Sequence, residues 1–311
     1  MTVATPSEET RGEEQTRSED RVREIRTLFG DLIELTKPGI TRLVVLTTAA
    51  GYLMATGLDA DLWRLFHTVF GAALASAGAN ALNMWWERES DAAMNRTRRR
   101  PLPSGRVEPK AALFFAGLLS VWGLGHLAVL VNWPTLVLVA TSLLTYILVY
   151  TPLKRRTHHA TLIGALPGAL PALAGWTAAD APITATALAI TGVVFFWQMP
   201  HFYALAWVYR EDYARGGYKM LTAIDPEGTR LGLESTAHSA ALLAVSVIPF
   251  FTGLLGWVYG VGAAVLGLAM VVLSVRLWRV RDDQRAWHLF FGSVAYLPAV
   301  LILMMVDRFV V

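Results

Sequence analysis

Cysteine is absent from the 311-residue chain, which excludes disulfides, thiolate zinc sites, iron–sulfur clusters and cysteine-ligated haem. Charge is scarce too: 16% of residues are charged against 54% hydrophobic, and the charges are clustered. That composition excludes a pair of ordinary soluble domains. The formal net charge of +3 is too small to suggest nucleic-acid binding, so no nucleic-acid partner is expected. The alternating pattern of a membrane β-barrel is missing. No cleavable signal peptide is expected either, because residues 7–26 are dense in Glu and Arg.

What the chain has instead is long uncharged runs. The best are Ala111 to Val131, Trp133 to Tyr150 and Ile183 to Tyr209, each near or above the roughly 20 residues that cross a bilayer core. Nine spans are expected, at 40–57, 65–86, 111–131, 133–151, 160–178, 183–208, 236–258, 260–277 and 287–306. Backbone groups in lipid must be satisfied internally, so the spans should be helices and the fold all-α. With the N-terminus inside, 25 of the 27 Lys and Arg residues fall on the inner side; only Arg64 and Arg308 lie outside. That bias predicts a cytoplasmic N-terminus; the cytoplasmic (inner) membrane is the expected location. Residues 1–20 read as a disordered tail. Val22, Ile25, Leu28, Phe29, Leu32 and Ile33 recur at helical spacing and predict an interfacial helix. A single membrane domain is therefore expected over 21–311.

Two inner loops, 87–110 and 209–235, are long and collect acidic residues, whereas the outer loops are short. Asn83, Glu87 and Asp91 fall four apart, so on a helix they share one face with about 6 Å of rise per step. The basic run NRTRRRPLPSG (95–105) follows. Hydrated polar residues at a helix exit would give the same letters. Two carboxylates and an amide beside four arginines also suit Mg²⁺, which binds few protein oxygens together with substrate phosphates. Tyr150 and Lys154, again four apart, read either as an interface tyrosine with a snorkelling lysine or as two phosphate ligands. In FFWQMPHFYALAW (195–207) Pro200 frees the carbonyl of Phe196 and predicts a kink. Gln198 and His201 flank it inside the apolar region, where they read as packing residues or as a pocket wall. The nearby aromatics, with Trp85 and Trp86, could hold a flat ligand or face a carbocation. Gly71, Ala75 and Ala79 need no reading beyond close helix packing, and His67, His126 and His288 are assigned no chemistry.

Asn83-x3-Glu87-x3-Asp91 with its arginine run resembles the first acidic motif of the UbiA superfamily of intramembrane prenyltransferases, and Tyr150-x3-Lys154 is similar to the fourth-helix motif. LTKPGITRLVVLTTAAGY (35–52), FFWQMPHFYALAW and REDYARGGYKML (210–221) look like the subgroup that farnesylates protohaem IX. The resemblance spans about residue 35 to the C-terminus and is weak in the last three spans. It departs in two places. Glu87 stands where many members have Asp, and Asp212 is followed four residues later by Gly216 where the second motif has another Asp.

The resemblance implies transfer of farnesyl from farnesyl diphosphate to a vinyl group of haem b, with water supplying the hydroxyl of haem O. It implies Mg²⁺ held by Asn83, Glu87, Asp91 and Asp212, with Glu211 a candidate to complete the second site. The diphosphate would then meet Arg96, Arg100, Tyr150 and Lys154. Haem would meet Trp197, Gln198, His201 and Phe202. A haem A synthase or a terminal-oxidase assembly factor is the protein partner this would suggest. A quinone or chlorophyll-precursor prenyltransferase shares the acidic motifs but leaves WQMPHF unexplained. A secondary transporter would place charge near the bilayer midplane, whereas here the acids crowd one surface.

Overall fold

The computed structural model describes residues 27–310; Val22, Ile25 and the expected tail lie outside them. Among the described residues there are nine helices long and apolar enough to cross a membrane, and no strand. A helix over 27–35 (α1) precedes them, with Leu28, Phe29 and Ile33 exposed. Its polar side is tied down, since buried Asp31 pairs with Arg106 at 2.7 Å.

The spans are α2 (Pro38–Thr56), α3 (Leu62–Ala93), α4 (Pro109–Leu130) and α5, which runs from Trp133 to Leu153 through a π-helical stretch at Thr145–Tyr150. They continue as α6 (Ala160–Ala178) and α7 (Ala185–Val208). The short α8 (Arg210–Arg215) lies in the loop that follows. Then come α9 (Thr229–Ser246, continued by Ile248–Phe251), α10 (Trp257–Arg279) and α11 (Asp283–Phe309).

The largest departures from expectation include the start of the seventh span, at Thr229 rather than 236. α3 continues to Ala93, well past the expected end at residue 86, because the carboxylates that end its hydropathic run are paired in the fold rather than hydrated. The seventh span stops at Phe251, not 258, and the eighth begins at Trp257. Gly253 turns the chain there with φ 73°, open to glycine at little cost. Buried Asp307 of α11 then caps α10 by accepting from the Gly256 and Tyr259 amides.

α6 is the most buried span, 72% of its apolar window against 17% for α5, and it packs on α2, α5 and α7. Small residues permit this. A Cβ on Gly51 of α2 would lie 1.9 Å from the Ala172 carbonyl oxygen, and one on Gly175 of α6 would lie 1.9 Å from that of Thr48. The two backbones therefore touch, as small residues allow between membrane helices. Pro171 leaves the carbonyl of Pro167 without its helical donor, and Ser142 Oγ of α5 donates to it at 2.7 Å. α7 packs on α6, α9 and α11, which places WQMPHF in the interior.

Candidate active site

The polar face of α3 is buried where it meets the beginning of α2 and the end of α5. Asn83, Glu87 and Asp91 are all under 9% exposed, and each is engaged by a different element. Asn83 Nδ2 donates to Thr151 Oγ1 of α5 at 2.9 Å, and its Oδ1 accepts from Lys37 Nζ at 2.5 Å. Glu87 Oε1 meets Lys154 Nζ at 2.8 Å. Asp91 Oδ2 meets Arg100 at 2.8 Å, while Thr97 Oγ1 donates to the Asp91 carbonyl and folds the arginine run back over the helix end.

Lys37 is a site residue that the sequence reading left unassigned. It sits between α1 and α2 with φ 47°, a left-handed conformation rare for a side chain of this kind. Burial, with Arg100 and Lys154 close by, pulls its ammonium down to about 7. The TKPG turn was its only signal, and nothing in the letters shows that a fold would carry it to Asn83.

The end of α5 is shaped by Pro152, which has no N–H and crowds the preceding turn. The helix widens to π geometry, and the Thr151 amide reaches back to the Tyr146 carbonyl. Tyr146 and Tyr150 then stack with centroids 5.5 Å apart, and Lys154 Nζ lies 4.6 Å from the Tyr150 ring centroid. Gly164 of α6 makes room for that ring, since a Cβ there would lie 2.5 Å from it. Burial alone would favour a neutral Lys154, but Glu87 and the surrounding tyrosines raise its ammonium well above the ordinary value. Tyr218, from the loop after α8, is a second unassigned residue. It is buried, and its ring lies 5.5 Å from Lys154 Nζ. The Lys219 amide donates to the Lys154 carbonyl at 2.8 Å and fixes this loop to α5.

Asp212 does something the motif reading did not foresee. Its carboxylate accepts from the Asn95 and Arg96 amides at 3.0 and 3.1 Å and pairs with Arg215, clasping the two long loops together. Burial opposes its ionisation, but Arg215 and the two amides outweigh that and hold it below the ordinary carboxylate range. Arg96 is exposed and stacks on Tyr209 and Tyr213, 5.0 and 5.8 Å from their centroids, so only Arg100 of the two named arginines reaches the α3 carboxylates. Glu211 is exposed. At Gly216 a Cβ would lie 2.9 Å from Met94 Sδ, a contact that movement of the methionine side chain can relieve.

The WQMPHF residues point to two neighbours of α7. Gln198 Nε2 donates to the Ala165 carbonyl of α6 at 3.2 Å, and Gly168 leaves it space. Trp197 Nε1 donates to the Ser293 carbonyl of α11, and His201 Nδ1 hydrogen-bonds Ser293 Oγ at 2.9 Å. Phe202 packs edge-on against His201. His201 Nε2 makes no hydrogen bond with a described residue.

Among the described residues no three His, Cys, Asp or Glu side chains converge on one point. A hard dication that retains waters and takes substrate phosphates needs only one or two carboxylates. Glu87 Oε2 and Asp91 Oδ1, on one helix face, accept no hydrogen bond from the described residues and are suitable donors. Lys37, Lys154 and Arg100 around them suit a polyanion. The arrangement can therefore bind a metal–diphosphate pair at one end of a helical bundle. The profile of the UbiA prenyltransferase family matches residues 44–296. The chain belongs to that family. Within it, the chain is 42% identical over 287 residues to protoheme IX farnesyltransferase of Solibacter usitatus, covering 89% of this chain and 98% of that one. It is 43% identical over 282 residues to the Salinibacter ruber protein of the same name, covering 91% and 100%. Among solved structures it is similar to digeranylgeranylglyceryl phosphate synthase, with TM-score 0.76 and 18% identity over 92% of this chain and 99% of the other. A UbiA homologue from Archaeoglobus fulgidus, bound to GPP and Mg²⁺, gives TM-score 0.68 at 16% identity over 88% and 99%. These two likenesses show that the UbiA fold is shared.

Proposed function

We propose that the chain transfers farnesyl from farnesyl diphosphate to a vinyl group of haem b, with addition of water, giving haem O and diphosphate. Relatives above 40% identity along nearly their whole length carry the farnesyltransferase name. The observation that carries the chemistry is the buried junction of α2, α3 and α5, where two carboxylates and an amide meet three cations.

Glu87 and Asp91 would hold Mg²⁺ through their free oxygens, while Asn83 and Asp212, whose oxygens are taken by Lys37 and by the Asn95 and Arg96 amides with Arg215, would join it only on releasing those partners. When bound, the metal neutralises charge developing on the leaving diphosphate. Lys37, Lys154 and Arg100 stabilise the same charge from fixed positions, and Tyr150 and Arg96 stand at the rim. The bond from farnesyl C1 to oxygen breaks, and its electron pair leaves with the diphosphate. The vinyl π pair forms the new carbon–carbon bond. Water adds to the resulting cation and loses a proton. Trp197, Gln198, His201 and Phe202 form the acceptor end, where an apolar wall protects the allylic fragment from early capture by water. The active site faces the cytoplasm in this reading, and the membrane is the inner one. A haem A synthase or an oxidase assembly factor would receive the product.

Purified protein given haem b and farnesyl diphosphate should yield haem O by mass. Chelation should stop the reaction and Mg²⁺ restore it, and Asp91→Ala should slow turnover by roughly a hundredfold or more. Full activity in EDTA would refute the metal assignment; a quinone product in place of haem O would refute the acceptor.

A further inference from the structure

The end of α10 and the start of α11 form an open cleft of about 300 Å³, none of whose lining residues belongs to the α2–α3–α5 junction. Arg276, Arg279, Val280, Gln284, Arg285 and His288 line it. No carboxylate does. Of the two acids of the connecting turn, Asp282 caps α11 and pairs with Arg285, one of the lining arginines, while Asp283 pairs with Arg210. The side chains of Arg276 and Arg279 make no ion pair or hydrogen bond with any described residue. Charge bias across the membrane accounts for arginines in this turn, but not for their convergence on one concave space. The unpaired guanidiniums of Arg276 and Arg279 beside this cavity match the oxygens of a phosphate ester.

The surface beneath the cavity says what kind of ester. On α10, exposed Val265, Leu268 and Val272 lead at spacings of three and four to Arg276 and Arg279. On α11, exposed Phe291 and Val294 continue the face that carries His288. A molecule with a phosphate in the cavity would therefore lay an apolar tail along two lipid-facing stripes. Basic pockets between membrane helices take anionic headgroups in this way.

We propose that this pocket binds the phosphate of an anionic glycerophospholipid from the leaflet on the active-site side. Native mass spectrometry of the intact detergent-solubilised protein tests it, with phosphatidylglycerol, phosphatidylcholine and glycerol 3-phosphate in separate arms. Phosphatidylglycerol should bind saturably and at least tenfold more tightly than phosphatidylcholine. The Arg276→Gln/Arg279→Gln variant should lose at least tenfold of that affinity while binding a farnesyl diphosphate analogue as before. Arg279→Glu alone, at an exposed position, should reproduce the loss if the double variant folds poorly. Equal phosphatidylglycerol binding by these variants overturns the site. Displacement of the lipid by equimolar glycerol 3-phosphate overturns the lipid as its occupant in favour of a soluble phosphate ester.

Discussion

Lys154 and His201 hold different company, and that difference can be measured. Lys154 sits against Glu87 among tyrosines, at the polar end proposed for the diphosphate. His201 sits against Ser293, Trp197 and Phe290, with no charged group in contact. Lys154→Ala should weaken binding of a farnesyl diphosphate analogue by roughly 1.5–3 kcal/mol, the range for a charged hydrogen bond. His201→Ala should instead weaken haem binding and leave the analogue within a few fold. Separate titrations of the two ligands decide this, and loss of analogue binding in folded His201→Ala would show that the pocket does not have two ends. At this scale the sequence was informative wherever spacing alone defines a face, as for Asn83, Glu87 and Asp91. Lys37 and Tyr218 escaped it because their burial depends on contacts with distant segments. Arg96 looked equivalent to Arg100, and only the position of Tyr209 and Tyr213 separates them.

Among the elements, α5 departs most from a regular helix. Its π turn is tied to Pro152, and a residue more or less per turn rotates what lies beyond by roughly 100°. Pro152→Ala should let the helix regularise, since alanine restores the missing donor. Thermal stability should be unchanged or higher, while kcat/KM falls about tenfold as Tyr146 and Tyr150 turn away from Lys154. A lower melting temperature with normal kinetics would show that the π turn only fills space. Hydropathy located all nine spans because uncharged runs of bilayer length have few other uses. It ended α3 too early because buried, paired carboxylates look the same in a sequence as hydrated ones. The break after Phe251 was invisible for a similar reason, since the cap for α10 comes from Asp307, 51 residues away.

For the molecule as a whole, the distribution of 27 basic residues sets the expected orientation. A reporter active only in the cytoplasm should work when fused after residue 155 and be silent at Val311; the reverse would place both long loops outside. The Asp212 clasp bears on how such a chain is completed. It joins residues 117 positions apart in sequence, so it can close only after the sixth span has been made and the loop beyond it has emerged. Until then the Asn95 and Arg96 amides of the arginine-rich segment after α3 lack the carboxylate that holds them. A chain truncated after residue 208 should therefore be cut by trypsin within 96–100 at an early time point, whereas the full chain in the same membranes should resist. Asp212→Asn in the full chain should fall between them. On that outcome, synthesis would pass through a stage at which the most heavily charged loop is vulnerable to proteolysis, and a single late carboxylate would end it.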